Sequence, residues 1–366
     1  MDTAQLQGYA DLVQGLADRG HLDNRWRQVF TTVPRDLFIP EHIWRQAPEA
    51  CEPITSRAAW LELVHSDEPV VIQIDDGGED GPGVATSSNS QPSMVAKMLG
   101  HLQIEDGHRV LEIGTASGYF AALLTERLGE QNVYSVELDP ALAELAESNL
   151  HAAGYMPQLR CGDGEEGWPG AAPFDRLIAT CALRHIPQAF VEQVRPGGII
   201  VAPIARDFWS GALVQLAVQD DGTASGPFRG GASYMAMRSH RLGAGTPVDS
   251  STARSRKAGP DPAGMLTLGF ALYAGARLPG VSMWHSEKPG HVQVWASRRD
   301  GSAATAATGE DVWQYGTANL WEEIEQVLLE YSALGSPGTE DFGLTVDSDG
   351  QHVWLREPRS RVQPTA

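Results

Sequence analysis

Short apolar runs alternate with amphipathic stretches through the middle of the chain. The runs typical of strands are brief and bounded by turn residues, and they lie at 109–113, 132–137, 174–179 and 199–204. The stretches with helical spacing lie between them, at 119–128, 140–153 and 187–194. Strands separated by helices of about 10–15 residues are typical of a parallel sheet with helices on both faces. The sequence therefore predicts an α/β fold with a doubly wound, Rossmann-like sheet.

Other patterns precede and follow this alternation. Residues 1 to about 50 have helical spacing, residues 75–91 are rich in turn residues, and residues 219–262 are rich in Gly, Ser, Ala and Pro. We interpret 75–91 as a loop and 219–262 as a long connection. The division that these patterns predict has three parts: an N-terminal helical segment at 1–75, an α/β domain at 76–218 and a C-terminal α+β region at 219–366.

The C-terminal region has its own signals. Two β-like runs are expected at 266–273 and 292–296, and Asn319 with Glu322 has the spacing of a helix capping box. Asp349-Gly350 between two apolar runs predicts a hairpin. The tryptophans of this region are expected to lie mainly in its core: Trp284, Trp295, Trp313 and Trp321.

Composition narrows the class of protein. The 366 residues include 27 Lys and Arg against 47 Asp and Glu, for a formal net charge of −20. Such a charge argues against nucleic acid or an anionic membrane as partner, because basic patches supply affinity for both. The three cysteines are far apart, and residues 1–5 carry no secretion signal. We therefore expect a cytoplasmic protein without a structural disulfide or a cysteine-bound metal.

A glycine-containing loop follows the first predicted strand of the sheet. It runs from Gly114 through Thr115, Ala116 and Ser117 to Gly118, and Glu112 precedes it. The loop lacks the third glycine of a dinucleotide fingerprint and the Gly-Lys-Ser/Thr of a phosphate loop. An acidic residue suits a ligand with cationic groups, such as the sulfonium and ammonium of S-adenosylmethionine. The alternative is an ordinary strand-to-helix turn.

The next two strand ends carry further carboxylates. The second strand ends at Glu137, with Leu138 after it, about 20 residues past the loop, where a carboxylate can accept both ribose hydroxyls of a nucleoside. Asp163 can accept from an adenine amino group, and Gly164 leaves room for the ring. Together the three junctions predict the S-adenosylmethionine site of a class I methyltransferase. The predicted cofactor-binding residues are Ser88, Glu112, Gly114, Thr115, Ala116, Ser117, Gly118, Glu137, Leu138, Asp163 and Gly164.

An ordered series of motifs resembles the protein-L-isoaspartate O-methyltransferase family. These are Val33-Pro34-Arg35 with Phe38-Ile39-Pro40, Ser90-Gln91-Pro92-Ser93-Met94-Val95-Ala96, Gly162 to Trp168, Ala172 to Ile178, and Gln193 to Gly198. The resemblance implies an S-adenosylmethionine-dependent carboxyl O-methyltransferase whose substrate is a protein or peptide. Methyl transfer needs no metal, so no metal ligand is expected.

The resemblance also implies a catalytic residue. In the family, the serine of the motif lies between the methyl donor and the substrate carboxylate, and Ser90 occupies that position here. A hydroxyl donor can hold one carboxylate oxygen while the other attacks. The alternative for Ser90 is a cap of the helix that starts near Pro92. The family's Thr-Ile-Ser is replaced by Ser88-Asn89-Ser90.

In the length of its C-terminal region, the chain resembles one branch of this family. Members of that branch modify Asp in ribosomally made peptides of lanthipeptide and graspetide pathways. The segments that suggest it are 341–346 and 349–355. That branch implies esterification of an Asp side chain, then an aspartimide, with hydrolysis to isoaspartate. On this hypothesis residues 219–366 bind the peptide. The alternatives are repair of isoaspartyl residues in proteins, a non-catalytic peptide-binding partner, and small-molecule methylation.

Overall fold

The computed structural model describes residues 3–47, 49–78, 80–257 and 259–365. Met1 and Asp2 of the predicted N-terminal segment, and Glu79 of the predicted loop, lie outside these ranges. The chain forms two compact units, one of Met1–Cys181 with Pro187–Val201 and one of Ala182–Ile186 with Ala202–Ala366. The division into functional parts at residues 75 and 218 stays a prediction.

The first unit begins with helices and a small antiparallel sheet. Its elements are α1 (Thr3–Asp18), α2 (Asn24–Thr32), β1 (Trp44–Arg45), β2 (Glu52–Pro53), α3 (Arg57–Val64), β3 (Val70–Ile74) and β4 (Ala85–Asn89). The strands pair in the order β2-β1-β3-β4. Trp60 and Ile72 pack with Leu142 in one buried cluster, which joins this segment to the rest of the unit.

The predicted parallel sheet follows directly. Its elements are α4 (Pro92–Leu102), β5 (Val110–Ile113), α5 (Tyr119–Leu128), β6 (Val133–Glu137), α6 (Pro140–Ala152), β7 (Gln158–Cys161), β8 (Phe174–Ala179), α7 (Gln188–Gln193) and β9 (Val194–Arg206), which runs from the first unit into the second. The order is β7-β6-β5-β8-β9, and the pairs are parallel. The predicted parallel α/β sheet is thereby confirmed. Ile113 pairs with Val136 and with Ala179, so the carboxyl ends of three strands lie along one edge.

The second unit is mostly antiparallel. Its further elements are β10 (Trp209–Val218), β11 (Ala224–Gly231), β12 (Arg254–Arg256), α8 (Leu268–Arg277), β13 (Val281–Lys288), β14 (His291–Arg298), β15 (Ala303–Ala307), β16 (Val312–Tyr315), α9 (Leu320–Ala333), β17 (Phe342–Asp347) and β18 (Gly350–Leu355). One sheet has the order β9-β10-β11-β17-β18 and the other β12-β16-β15-β14-β13. Helices α8 and α9 pack through Phe270 and Tyr331, whose ring centroids are 5.5 Å apart.

Three sequence predictions about local structure are wrong. Residues 268–277 are helical because Thr267 caps the helix through the Phe270 amide, and a short apolar run does not by itself distinguish a strand from a buried helix. The predicted loop contains β4 and the predicted long connection contains β11. Both strands are rich in Ser or Gly, so the apolar alternation typical of a strand is weak in them.

Other predictions for the second unit have mixed outcomes. The hairpin is confirmed, since Asp347 pairs with Gly350. Asn319 precedes α9 as predicted, but the capping box does not form, because its side chain accepts from Arg254 instead. Trp321 is buried, whereas Trp284 and Trp313 are 50% and 46% exposed, which corrects their assignment to the core. Among the described residues, no helix combines the length and apolar character needed to cross a bilayer.

Candidate active site

The loop after β5 has the backbone conformation that its glycines permit. Gly114 has φ +101° and Gly118 has φ +88°, in the region that side chains disfavour. A Cβ at Gly114 would lie 2.7 Å from the Thr180 Oγ1, and one at Gly118 would lie 3.0 Å from the Leu150 Cγ. The glycines are therefore needed by the loop's own packing, before any ligand is considered. Thr115 and Ser117 are buried, and Ala116 is partly exposed.

Glu112 is a buried carboxylic acid behind this loop. The Ser135 hydroxyl lies 2.6 Å from the Glu112 Oε2 and 2.6 Å from the Thr115 Oγ1. The other oxygen, Oε1, is buried and has no hydrogen-bond partner within the described part of the chain. Burial raises the pKa of Glu112 to about 8. A buried acceptor without a partner is costly, so this oxygen is suited to a donor that arrives with a ligand.

Glu137 lies against the same loop at the end of β6. Its Oε2 accepts from the Ala116 amide at 2.8 Å and its Oε1 accepts from the Asp139 amide at 3.0 Å. Burial raises its pKa, which these backbone donors partly oppose. The nearby Asp139 has another task, because its Oδ1 caps α6 through the amides of Ala141 and Leu142. Of the two carboxylates, Glu137 is therefore the one oriented by the loop of residues 114–118, which we call the cofactor loop.

The third junction lies beside the second. The Gly162 amide donates to the Glu137 carbonyl at 2.8 Å, which places the end of β7 next to the end of β6. Asp163 is exposed and accepts from the Glu165 amide at 2.9 Å, while Gly164 is buried. Leu138 is 39% exposed. An exposed carboxylate and an exposed apolar side chain, on neighbouring strand ends, are compatible with the edge and face of an adenine ring.

Ser88, Asn89 and Ser90 form the approach from the other side. Asn89 is buried, and its Nδ2 donates to the Ser117 Oγ at 3.1 Å, which attaches this segment to the cofactor loop. Ser88 pairs with Val71 in the small sheet. The structure thus brings the predicted catalytic and cofactor residues into one region of the first unit.

Ser90 is half-buried, and its hydroxyl is available to form a hydrogen bond with a ligand. Helix α4 begins at Pro92 with Gln91 in the N-cap position, so Ser90 is not the helix cap. Within the residues that the structure describes, its hydroxyl makes no hydrogen bond. A hydroxyl in this condition can donate to an incoming carboxylate.

Sequence reasoning assigned no role to four residues that shape the region. Ser135 orients Glu112, Thr180 donates to the Gly114 carbonyl at 2.6 Å, and Asn89 joins the two approaches. The fourth, Arg35, is fully buried and donates to the main chain at Ser90. Arg35 belongs to one of the family motifs, but the residues around it in the sequence do not predict that its side chain is buried.

The residues fit the cationic cofactor that the sequence predicts. The acceptors are an unpartnered buried oxygen on Glu112, the oriented carboxylate of Glu137 and the exposed carboxylate of Asp163. An ammonium supplies the donor that Glu112 lacks, and hydroxyl or amino groups suit the other two. When bound, S-adenosylmethionine supplies an electrophilic methyl group.

The fold and this set of acceptors define an S-adenosylmethionine-dependent methyltransferase of class I. The family model for protein-L-isoaspartate(D-aspartate) O-methyltransferase matches residues 7–241. The chain therefore belongs to that family, and it is an S-adenosylmethionine-dependent carboxyl O-methyltransferase. This assignment does not support the non-catalytic alternative.

Individual members of the family are similar to this chain over half of its length or more. A protein-L-isoaspartate O-methyltransferase of Ignicoccus hospitalis is 34% identical over 200 residues, which cover 54% of this chain and 82% of the relative. One of Thermococcus onnurineus is 36% identical over 214 residues, covering 58% and 84%. A solved protein-L-isoaspartate O-methyltransferase structure matches with a TM-score of 0.56 and 21% identity, covering 95% of this chain and 99% of that one. That structure shares the fold of nearly the whole chain. The branch that modifies ribosomal peptides stays a prediction.

Proposed function

We propose that this enzyme is a protein-L-isoaspartate O-methyltransferase, which esterifies the free α-carboxylate of isoaspartyl residues in proteins and peptides. The observation that carries the proposal is the unpartnered hydroxyl of Ser90, held beside the cofactor loop through Asn89 and Ser117. The names of the relatives that match this chain support the same substrate.

The C-terminal region does not argue against repair. Its length and the segments 341–346 and 349–355 are the features of the sequence that favour peptide maturation over repair. A solved protein-L-isoaspartate O-methyltransferase shares the fold over 95% of this chain, so a region of this size is compatible with that activity.

The chemistry needs orientation more than proton transfer. An α-carboxyl has an ordinary pKa of about 3.5, so the nucleophile is already ionised at neutral pH. Ser90 donates to one carboxylate oxygen and leaves the other free to attack the methyl carbon. With S-adenosylmethionine held by Glu112, Glu137 and Asp163, that oxygen would bond to the methyl group while the methyl–sulfur bond breaks and leaves its electron pair on sulfur. Fixing the acceptor close to the methyl group supplies the main rate advantage.

The ester that forms is activated toward the neighbouring peptide nitrogen. That nitrogen attacks the ester carbonyl, methanol leaves, and a succinimide results. Hydrolysis of the succinimide then gives aspartyl or isoaspartyl peptide. These later steps need no further residue of the enzyme.

Three synthetic peptides of one sequence would test the proposal. The first carries isoaspartate, the second ordinary aspartate, and the third ordinary aspartate within a side-chain ring. Mass spectrometry after incubation with the enzyme and S-adenosylmethionine should show a methyl group only on the first. Methylation confined to the ringed peptide would refute repair and favour the peptide-maturation hypothesis.

A pair of serine variants would test the role of the Ser90 hydroxyl in the reaction. Ser90→Ala should lower the single-turnover rate roughly 10- to 100-fold, the value of a hydrogen bond to a charged group. Ser93→Ala is the matched control, because Ser93 is a partly buried serine three residues further on, in the first turn of α4. If both variants transfer methyl groups at the wild-type rate, Ser90 has no role in the reaction.

A further inference from the structure

Arg35 is a fully buried cation in the first unit. Its Nε donates to the Asn89 Oδ1 at 2.7 Å, and its Nη2 donates to the carbonyls of Asn89 and Ser90, each at 3.1 Å. The guanidinium also donates to three further carbonyls, from Nη1 to Val64 and Ser66 and from Nη2 to Glu68. One side chain therefore holds the turn after α3 and the segment that carries Ser90.

No carboxylate of the described residues lies within ion-pair distance of this guanidinium. Burial lowers the pKa of Arg35 to about 10, so the group stays protonated at neutral pH. Its direct contacts are oriented carbonyl and amide oxygens, an arrangement that depends on geometry, and the charges of Asp67 and Glu68 favour it from further away. Lysine at this position would offer three donors from one atom and would not span the same acceptors.

The bond from Arg35 also determines the orientation of Asn89. A guanidinium only donates, so the Asn89 amide must present its oxygen to Arg35. The amide nitrogen is then left to donate to Ser117 in the cofactor loop. The buried chain of contacts therefore runs from the cofactor loop through Asn89 and Arg35 to the main chain of Ser90.

We propose that Arg35 is a positioning residue for methyl transfer, which fixes Ser90 relative to the cofactor loop through its contacts with Asn89 and the Ser90 carbonyl. The proposal rests on the proposed function, because it assigns Ser90 to the acceptor carboxylate. Arg35 acts through Ser90 and does not contact the reacting atoms. Its replacement should therefore impair transfer by misplacing a group that remains chemically intact.

The test is a kinetic double-mutant cycle on the full-length enzyme. Arg35→Lys should lower the single-turnover rate at saturating cofactor and peptide about 10- to 100-fold, as expected for a displacement of about 1 Å. In a Ser90→Ala background the same change should lower the rate by less than about twofold, because the positioned group is absent. Equal effects in both backgrounds would overturn the proposal.

The control separates positioning from stability. Arg176 is also buried, and it donates to the carbonyls of Leu102, Gln103 and Asp175, outside the candidate site. Arg176→Lys should lower the melting temperature while leaving the single-turnover rate of the folded enzyme near wild type. A loss of rate in Arg176→Lys as large as that in Arg35→Lys would mean that the effect is only structural.

A second variant keeps the proposal testable if Arg35→Lys does not fold. Asn89→Ala removes the bridge to the cofactor loop and leaves Arg35 in place, and it should show the same dependence on Ser90. A wild-type rate in Asn89→Ala would overturn the proposal. If the wild-type enzyme methylates only the ringed peptide, the assignment of substrate fails, while the same cycle on that peptide still decides the role of Arg35. If none of the three peptides is methylated, both proposals fail.

Discussion

The burial of Glu112 predicts that cofactor binding releases a proton. Its pKa of about 8 means that this side chain is mostly neutral at pH 7 in the free enzyme. A cationic ligand beside its unpartnered oxygen favours the ionised form. Binding should therefore drive the proton off Glu112, and Glu112→Gln, which cannot ionise, should remove this release.

The size of the effect follows from the pKa. At pH 7 a group with a pKa of about 8 carries about 0.9 proton, so up to that amount is released on binding. Titration calorimetry in two buffers of different ionisation enthalpy measures the number of protons directly. Equal proton release by the wild type and Glu112→Gln would refute the assignment of Glu112 to the cofactor's cationic group.

The raised pKa of Glu112 also predicts how the stability of the cofactor-free protein depends on pH. The folded state favours neutral Glu112, so this contribution to stability is fully present below the ordinary pKa of 4.5 and is lost as the pH rises toward about 8. At most, the loss is worth roughly 5 kcal/mol. Without cofactor, Glu112→Gln should therefore unfold at a higher temperature than wild type at pH 8.5, with a smaller difference at pH 4.5. A variant that is less stable by the same amount at both pH values would contradict this reasoning.

Three further predictions concern single side chains. Glu137→Ala and Asp163→Ala should each weaken S-adenosylmethionine binding about 10- to 100-fold in calorimetry, and unchanged affinity in both would remove these junctions from the site. Asp139→Ala should lower the free energy of unfolding by about 1 kcal/mol in urea, because it removes the cap of α6. Trp321→Ala should cost about 3–5 kcal/mol, whereas Trp284→Ala, at an exposed position, should cost less than about 1 kcal/mol. A similar cost for the two tryptophans would be inconsistent with their burial.

The central sheet could be predicted because short stretches of sequence determine each of its strands and helices. A strand buried on both faces is a short continuous apolar run, as in Val110–Ile113, and the helices between such runs have an apolar stripe. The acidic and glycine residues at the carboxyl ends of the strands then fall at one edge by topology alone. No long-range contact had to be known to bring Glu112, Glu137 and Asp163 to the same region.

The errors arose where the local pattern is ambiguous or polar. Strand β4 is formed by Ala85–Asn89, which has no large apolar residue, and its pairing with β3 decides its conformation. Helix α8 is apolar on nearly every side because it is buried, so it lacks the stripe by which a surface helix is recognised. In both cases tertiary contacts select the structure.

The role of Arg35 could not be predicted for a related reason. Arginine is almost never fully buried unless it is paired, and here its partners are carbonyls that lie 29 to 55 positions away in sequence. Asn89 is similar, because it replaces an apolar residue of the family motif and its two partners lie in different segments. A single sequence contains no record of such contacts.

The C-terminal region shows why length alone does not identify a substrate. Trp321 and Phe270 are fully buried within the second unit, so most of its apolar residues stabilise the unit itself. Trp284 pairs with Trp295 across β13 and β14 and keeps an exposed face. A substrate that needed this face would lose methylation when Trp284 is changed, whereas a short isoaspartyl peptide would not. On the proposed function, the residues that determine which carboxylate is esterified must still act at Ser90, because that function places the acceptor carboxylate there.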